Sequence, residues 1–322
     1  MEPFLGVFLE HSWVYYALIA ALGYALVEFI DEHLLEDVTP GHQEWNGVGT
    51  LTLVSGFFGV VISGVFGVGI LLSGNTIAMG ITGYDYATQA MIAGALETVW
   101  MIPYLYALDR GGAINAGPLF QIIPVFTFLL GFFFFGEVPV QEHIIGSAII
   151  IIGALMLNLN KGTLKLDKIT VGLMFLASLI ISIVYLLFKE TVMEGSFVLS
   201  VFWSGIGMTI MSALIWVYYK PYRLQFNSFI QSSNRLSMLK QFMNEGLNAV
   251  SVIASHLANA KAPSVMVATA FNAFHPLFTL MIGWVLGKQG SEKHASTLEG
   301  NEMYKKIVAV IFITMGTVLV VM

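Results

Sequence analysis

The chain has 322 residues, of which 57% are hydrophobic and only 11% charged, whereas soluble domains carry about 25% charge, so it cannot build a water-soluble surface. Zero cysteines exclude disulfides, thiolate catalysis and thiolate-bound metal. A formal net charge of −6 gives no basic footprint for nucleic acid.

A membrane-spanning helix needs about 20 largely apolar residues. In chain order, windows of this kind fall at 13–30, 50–73, 86–108, 113–135, 143–159, 169–188, 197–219, 240–259, 264–287 and 305–322. The fifth is short and the eighth unusually polar. The first twelve residues hold no Lys or Arg, so they lack the basic region of a signal peptide, and insertion is expected to rely on the first span. Between the spans lie short loops and three longer ones at 31–49, 220–236 and 288–304, too small for a soluble domain. The polar stretch LNKGTLKLDK at 159–168 is the hinge between two halves, 1–160 and 161–322, of five spans each.

The halves resemble each other. PVFTFLLGFFFFGE begins at Pro124 and PLFTLMIGWVLGKQ at Pro276, so that Pro124, Phe126, Thr127 and Gly131 recur as Pro276, Phe278, Thr279 and Gly283. A glycine-bearing apolar run follows each, IIGSAIIIIGALML from Ile144 and KIVAVIFITMGTVLV from Lys306. An odd number of spans per half turns the second half over in the membrane. The expected fold is therefore an all-α polytopic membrane protein of ten transmembrane helices in two inverted repeats of five, with a substrate site between the repeats.

The run from Asn115 to Leu157, with its Pro-x-Phe-Thr-x3-Gly, the Gly136-Glu137 pair and the apolar run after it, resembles the EamA family of drug/metabolite transporters. The second half departs from that pattern, with Lys288-Gln289 in place of a second Gly-Glu and an insertion at 288–304. The resemblance implies a ten-helix secondary transporter whose central cavity is lined mainly by spans one, three, four, six, eight and nine. It implies no particular substrate. It also implies cytoplasmic termini, against the chain's own charges: twelve of the 14 Lys and Arg fall on the side opposite the termini, which places the termini outside the cytoplasm.

On a helix, Gln241, Asn244, Glu245, Asn248, Ser251, Ser255, His256 and Asn259 of the eighth span fall within an arc of about 140°, interrupted only by Val252. Facing hydrocarbon, such groups would each cost free energy, so the stripe must meet protein or water, as a cavity lining or as hydrogen-bonding glue between helices. The third span carries Glu97, with Gln89, Trp100 and Tyr104 within about 80° of it. Glu97 and Glu245 are the candidates for substrate or proton binding, the alternative for each being a neutral, hydrogen-bonded acid in the core. Glu28, beside Asp31 and Glu32, reads as the rim of the first span, and Asp31, Glu32, Glu36 and Asp37 as an acidic surface loop.

Polar residues precede both matched prolines: Asn115 and Gln121 before Pro124, Asn272 and His275 before Pro276. A proline inside a helix kinks it and frees a carbonyl for ligand or rocking. His256 and His275 are candidate proton carriers, and without a His-Glu-x-x-His pairing they form no metal signal. No cofactor is expected. Glu137 reads as a cap for the next helix.

Three classes compete. An intramembrane aspartyl protease needs two facing aspartates, yet Asp85 and Asp109 lie near opposite ends of the third span. A serine protease needs a facing Ser–His pair, and Ser255 and His256 are helical neighbours that diverge. Neither an enzyme nor a membrane scaffold accounts for the duplication. A secondary transporter working by alternating access does, with a small organic metabolite as substrate, the lipid bilayer as surroundings and protons as candidate coupling ion. With Lys and Arg expected at the span ends and loops and Glu97 and Glu245 expected inside spans, phosphorylated substrates are disfavoured and amino acids or amines favoured. The substrate-binding and proton-binding set is Glu97, Trp100, Tyr104, Gln121, Glu245, Asn248, His256, Asn272 and His275, and the expected location is the plasma membrane.

Overall fold

A computed structural model describes residues 11–37, 47–73, 84–111, 117–158, 168–232, 235–287 and 301–321. The described residues are helical and contain no strand, as expected where every backbone polar group must be satisfied within its own segment. In chain order the helices are α1 (Ser12–Asp37), α2 (Val48–Leu72), α3 (Tyr84–Gly111), α4 (Ile123–Phe134), α5 (Gln141–Asn158), α6 (Lys168–Glu194), α7 (Phe197–Tyr218), α8 (Lys220–Ser232), α9 (Arg235–Lys261), α10 (Val265–Ala270), α11 (His275–Gly287) and α12 (Asn301–Val321). Short 3-10 helices, Gly117–Ile122 and Phe271–Phe274, precede α4 and α11.

The described residues of the ten apolar windows are largely helical. Five stretches are long and apolar enough to cross a membrane: Ser12–Asp31, Val48–Leu72, Tyr86–Arg110, Lys168–Glu194 and Phe197–Tyr218. Shorter apolar helices cover Leu119–Phe134, Gln141–Gly153, Val265–Thr279 and Val308–Val320. The helix carrying the eighth window, α9, is too polar on one side to qualify by hydropathy. The hinge at 159–167 and the insertion at 288–300 lie outside the described residues.

Three expectations need correction. The segment 220–236 is not a loop throughout, because 220–232 forms α8. Its Tyr222 and Phe229 are buried, and its Gln225 Oε1 accepts the Gly49 N–H at the start of α2 at 2.9 Å. The Tyr222 hydroxyl donates to that of Tyr106 at 3.1 Å. Burial, followed by that hydrogen bond, raises the Tyr222 pKa. The first span also runs on to Asp37, so Asp31 is a buried helical residue and not part of a surface loop. Finally, Lys189, half-buried, lies inside the long helix α6, so one cation does fall within a span.

The matched prolines do not bend a continuous α-helix. Each is the second residue of a helix, Pro124 in α4 and Pro276 in α11, directly after a 3-10 turn. Proline at a helix start loses no hydrogen bond, since the first N–H groups have no partner in the helix anyway. The break thus comes before the proline.

The chain forms two compact units. Unit 1 comprises residues 1–29, 113–167 and 250–322; unit 2 comprises 30–112 and 168–249. In unit 1, α5 packs along α12 and α10 against α4. Trp13 meets Phe271 edge-on with ring centroids 5.1 Å apart, and Ile150, Ala309, Ile313 and Val320 fill the α5–α12 seam. In unit 2, α3 packs on α6, and α7 on both α2 and α3. Ile62, Phe188, Val201 and Met208 form a core cluster there, and the Tyr86 hydroxyl bonds the Ser196 carbonyl at 3.0 Å and Ser200 Oγ at 2.8 Å. Outward residues such as Leu72, Phe133 and Phe134 are apolar and exposed, as a lipid-facing surface requires.

Glycine sets the helix spacing within unit 2. Gly94 of α3 lies on the Ser204 backbone of α7, and Gly207 of α7 on the Met91 backbone of α3, so a Cβ at either would overlap main-chain atoms. Gly94→Val and Gly207→Val are each expected to destabilise the protein by about 2–3 kcal/mol through overpacking, read as a lowered melting temperature in detergent. Gly64→Val, where a Cβ meets open space, is expected to change stability by less than about 1 kcal/mol.

Candidate functional site

The polar stripe of α9 faces protein along its whole length. Gln241, Asn244, Glu245, Ser251, Ser255, His256 and Asn259 are buried and Asn248 is half-buried, while Leu239, Phe242, Met243 and Val250 on the opposite side are exposed. The helix is amphipathic with its polar side inward, which suits a bilayer and would fail in water.

In unit 2 the stripe is held by hydrogen bonds. Asn244 Nδ2 donates to Asp31 Oδ1 of α1 at 2.7 Å, and Gln241 Nε2 donates to Glu245 Oε1 at 2.9 Å. Ser55 of α2 and Asn248 also hydrogen-bond the Glu245 side chain. Glu245 therefore sits deep among polar partners from two helices, with Asp31 close enough for the two carboxyl groups to repel if both ionise. Sequence reasoning assigned Asp31 to the surface and gave Ser55 no role. The spacing of Asp31 from Glu28 on one helical face was the available signal for the first; a lone Ser on an apolar helix offers none.

Glu97, 4% exposed, lies in the same unit on α3. The Trp100 indole lies beside its carboxyl group, and the Trp100 ring stacks on Tyr104 at 5.2 Å with 29° between planes. Pro103 lies between them in α3. The predicted trio of acid, indole and phenol is thus brought together on one face, as the i, i+3 and i+4 spacings require.

In unit 1, the residues around the two 3-10 turns meet. The Asn272 carbonyl accepts the His275 N–H at the end of the 3-10 turn, and Gln121 Nε2 lies 3.5 Å from the same oxygen. Thr127 Oγ1 bonds the Pro124 carbonyl at 3.1 Å and Thr269 Oγ1 at 3.0 Å; its counterpart Thr279 bonds the His275 carbonyl at 3.0 Å. His275 Nε2 is 3.2 Å from Glu28 Oε2, so Glu28 is buried inside the unit and is not a rim residue. His256 is buried on α9, and Gly23 of α1 lies flush on Ser251, where a Cβ would overlap the serine side chain. Glu137 is a cap, but of a different helix from the one expected. Its Oε2 accepts the N–H of Val265, at the start of α10, at 3.0 Å. Gly136 before it has φ 66°, a left-handed turn that favours glycine.

The nine predicted residues thus fall into two sets: Glu97, Trp100, Tyr104, Glu245 and Asn248 in unit 2, and Gln121, His256, Asn272 and His275 in unit 1. The first set presents carboxyl, amide and aromatic groups. The second presents an acid–imidazole pair beside broken helical backbone. Both offer hydrogen-bond acceptors and aromatic faces to a small polar molecule and neither offers a buried primary cation.

A likeness to known proteins is consistent with this arrangement. One solved crystal structure of a protein shares the fold, with a TM-score of 0.66 over 96% of this chain and 94% of its own, at 13% identity. No curated protein matches the sequence. The model of the EamA-like transporter family matches residues 11–159. Over that segment the chain is similar to the EamA-like transporter family, and its long apolar helices mark it as an integral membrane protein.

Proposed function

We propose that the protein is a secondary transporter of a small organic metabolite, with amino acids or amines as its substrate class, working by alternating access of two inverted five-helix halves, 1–160 and 161–322, in the plasma membrane. The observation that carries the substrate class is the sign of the buried charge. Among the described residues, Glu28, Asp31, Glu97 and Glu245 are fully buried and no Lys or Arg is. Phosphorylated or otherwise anionic substrates call for buried cations, typically Arg or Lys; an acidic interior instead attracts an ammonium group.

Glu97 and Glu245 bind the substrate or the coupling proton, with Trp100 and Tyr104 giving the site an aromatic wall suited to a cation or an aromatic ring. Asn248, Gln121 and Asn272 supply hydrogen bonds, and His256 and His275 are the titratable partners. The helix pairings support the duplication. The second predicted span packs on the seventh, the fourth on the ninth and the fifth on the tenth, which is the partnering that two related halves produce. Broken helices near the matched prolines are a recurrent feature of transporter binding sites.

Two measurements test this function. In a thermal-shift screen of the purified protein in detergent, amino acids or amines are expected to raise the melting temperature, because a ligand at 100 times its Kd stabilises the fold by about 2.7 kcal/mol; shifts confined to sugars and nucleosides would redirect the substrate class. In proteoliposomes, a double Glu97→Gln, Glu245→Gln variant is expected to lose at least about 10-fold in uptake, or about 1.4 kcal/mol, and unchanged uptake would remove both glutamates from the mechanism.

A further inference from the structure

Asp31 at the end of α1 and Glu245 of α9 are 5% and 3% exposed, and their carboxyl groups are close enough to interact. Two amides turn toward them. Asn244 Nδ2 donates to Asp31 Oδ1 at 2.7 Å and Gln241 Nε2 to Glu245 Oε1 at 2.9 Å. An amide that gives its nitrogen to a carboxylate keeps its oxygen on the same small planar group, beside the cluster. Asn244 Oδ1 and Gln241 Oε1 are buried without a hydrogen-bond partner among the described residues, on residues each only 2% exposed. A buried amide oxygen normally finds a donor. Two of them left over beside two acids, with no Lys or Arg fully buried among the described residues, make a shell of acceptors that lacks a positive centre.

The donor set narrows the ion. Its atoms are all oxygen: two carboxylates, two amide oxygens and the Ser55 hydroxyl that reaches Glu245 from α2. Oxygen alone suits a hard cation and not a metal that seeks thiolate or imidazole. Among the described residues no three His, Cys, Asp or Glu come together, so the cluster lacks the charge density that holds a divalent ion tightly. A monovalent cation offsets one of the two carboxylate charges, and the amide N–H groups of Asn244 and Gln241 soften the other. Carboxylates are ligands of high field strength, which favours sodium over the larger potassium ion. The ion is then held firmly enough to enter and loosely enough to leave.

We propose that Asp31 and Glu245, with the side-chain oxygens of Asn244, Gln241 and Ser55, form a binding site for a sodium ion. The use of that ion to couple transport rests on the transporter reading above, whereas its binding does not. Asn244 and Gln241 keep their nitrogens on the carboxylates while their oxygens meet the ion, so neither amide has to turn over. All five residues belong to unit 2, and they come from α1, α2 and α9. A sodium ion there ties three helices together through charge. Its departure leaves two carboxylates facing each other, and their repulsion loosens α1 from α9. The ion thus binds one arrangement of these helices better than another, which is what lets it drive a conformational change. Glu245 is thereby given to the ion, and Glu97, beside Trp100 and Tyr104, is left for the substrate.

The test is sodium binding to the full chain in detergent without substrate, by equilibrium dialysis of radioactive sodium and by melting temperature in sodium, potassium or choline chloride at equal ionic strength. The expected result is one sodium ion bound per chain, a higher melting temperature in sodium chloride, competition by potassium roughly tenfold weaker than by unlabelled sodium, and loss of sodium binding in Asp31→Asn and Gln241→Leu. The dialysis count is made on the unaltered protein and so stands even if a variant does not fold. No sodium bound, equal melting temperatures in sodium and choline, stabilisation by calcium alone, or unchanged sodium binding in a folded Asp31→Asn each overturns the site. Amine or amino-acid binding that persists in choline chloride then leaves the proposed transport function standing. Sodium bound here, with shifts confined to sugars or nucleosides, supports the site and overturns the substrate class.

Discussion

Within a bilayer, a polar group has no water to fall back on, and the inward stripe of α9 is where this constraint acts most visibly. Eight polar side chains on one helix must all find protein partners. Asp31 takes Asn244, Gln241 and Ser55 take Glu245, and Gly23 of α1 gives way to Ser251. The glycines that let backbones touch, Gly94 against Ser204 and Gly207 against Met91, follow from the same condition. With lipid as apolar as leucine, helices gain little from hiding hydrophobic surface and hold together through close contact and hydrogen bonds.

That arrangement also explains why the acids are inside. A buried carboxyl group is costly as glue, because an amide or hydroxyl would hold two helices together without the penalty of a charge. Four acids nevertheless lie buried among the described residues with no buried Lys or Arg beside them. Each has a distinct setting: Glu97 beside an indole, Glu245 among amides and a hydroxyl, Asp31 on the Asn244 amide, and Glu28 beside an imidazole. Such a collection is expensive to keep in low dielectric, and it is the feature on which the proposed amine or amino-acid substrate class rests.

The broken helices carry the second half of the logic. Thr127 and Thr279 both turn their hydroxyls back onto carbonyls of the preceding turn, and Gln121 reaches the Asn272 carbonyl. These contacts place side-chain donors on backbone carbonyls at and beside the two helix starts. They also concentrate backbone acceptors and the Glu28–His275 pair in one small region of unit 1.

The sequence by itself determined the helical class, the positions of the apolar windows, the repeated Pro-x-Phe-Thr-x3-Gly and the inward face of α9, because period and composition are local properties that a bilayer enforces strongly. It also determined the Glu97, Trp100 and Tyr104 cluster, which follows from spacing on one helix. Only the tertiary structure decided that Glu28 pairs with His275, that Asp31 is buried against Asn244, that Glu137 caps α10, and that the prolines start helices without bending them. Those contacts join residues far apart in the chain, and no local pattern records which distant donor a buried acid will meet. The short helix α8 escaped for a related reason: its apolar face is too brief to stand out from the sequence, and it becomes a helix through what Tyr222, Gln225 and Phe229 find beneath them.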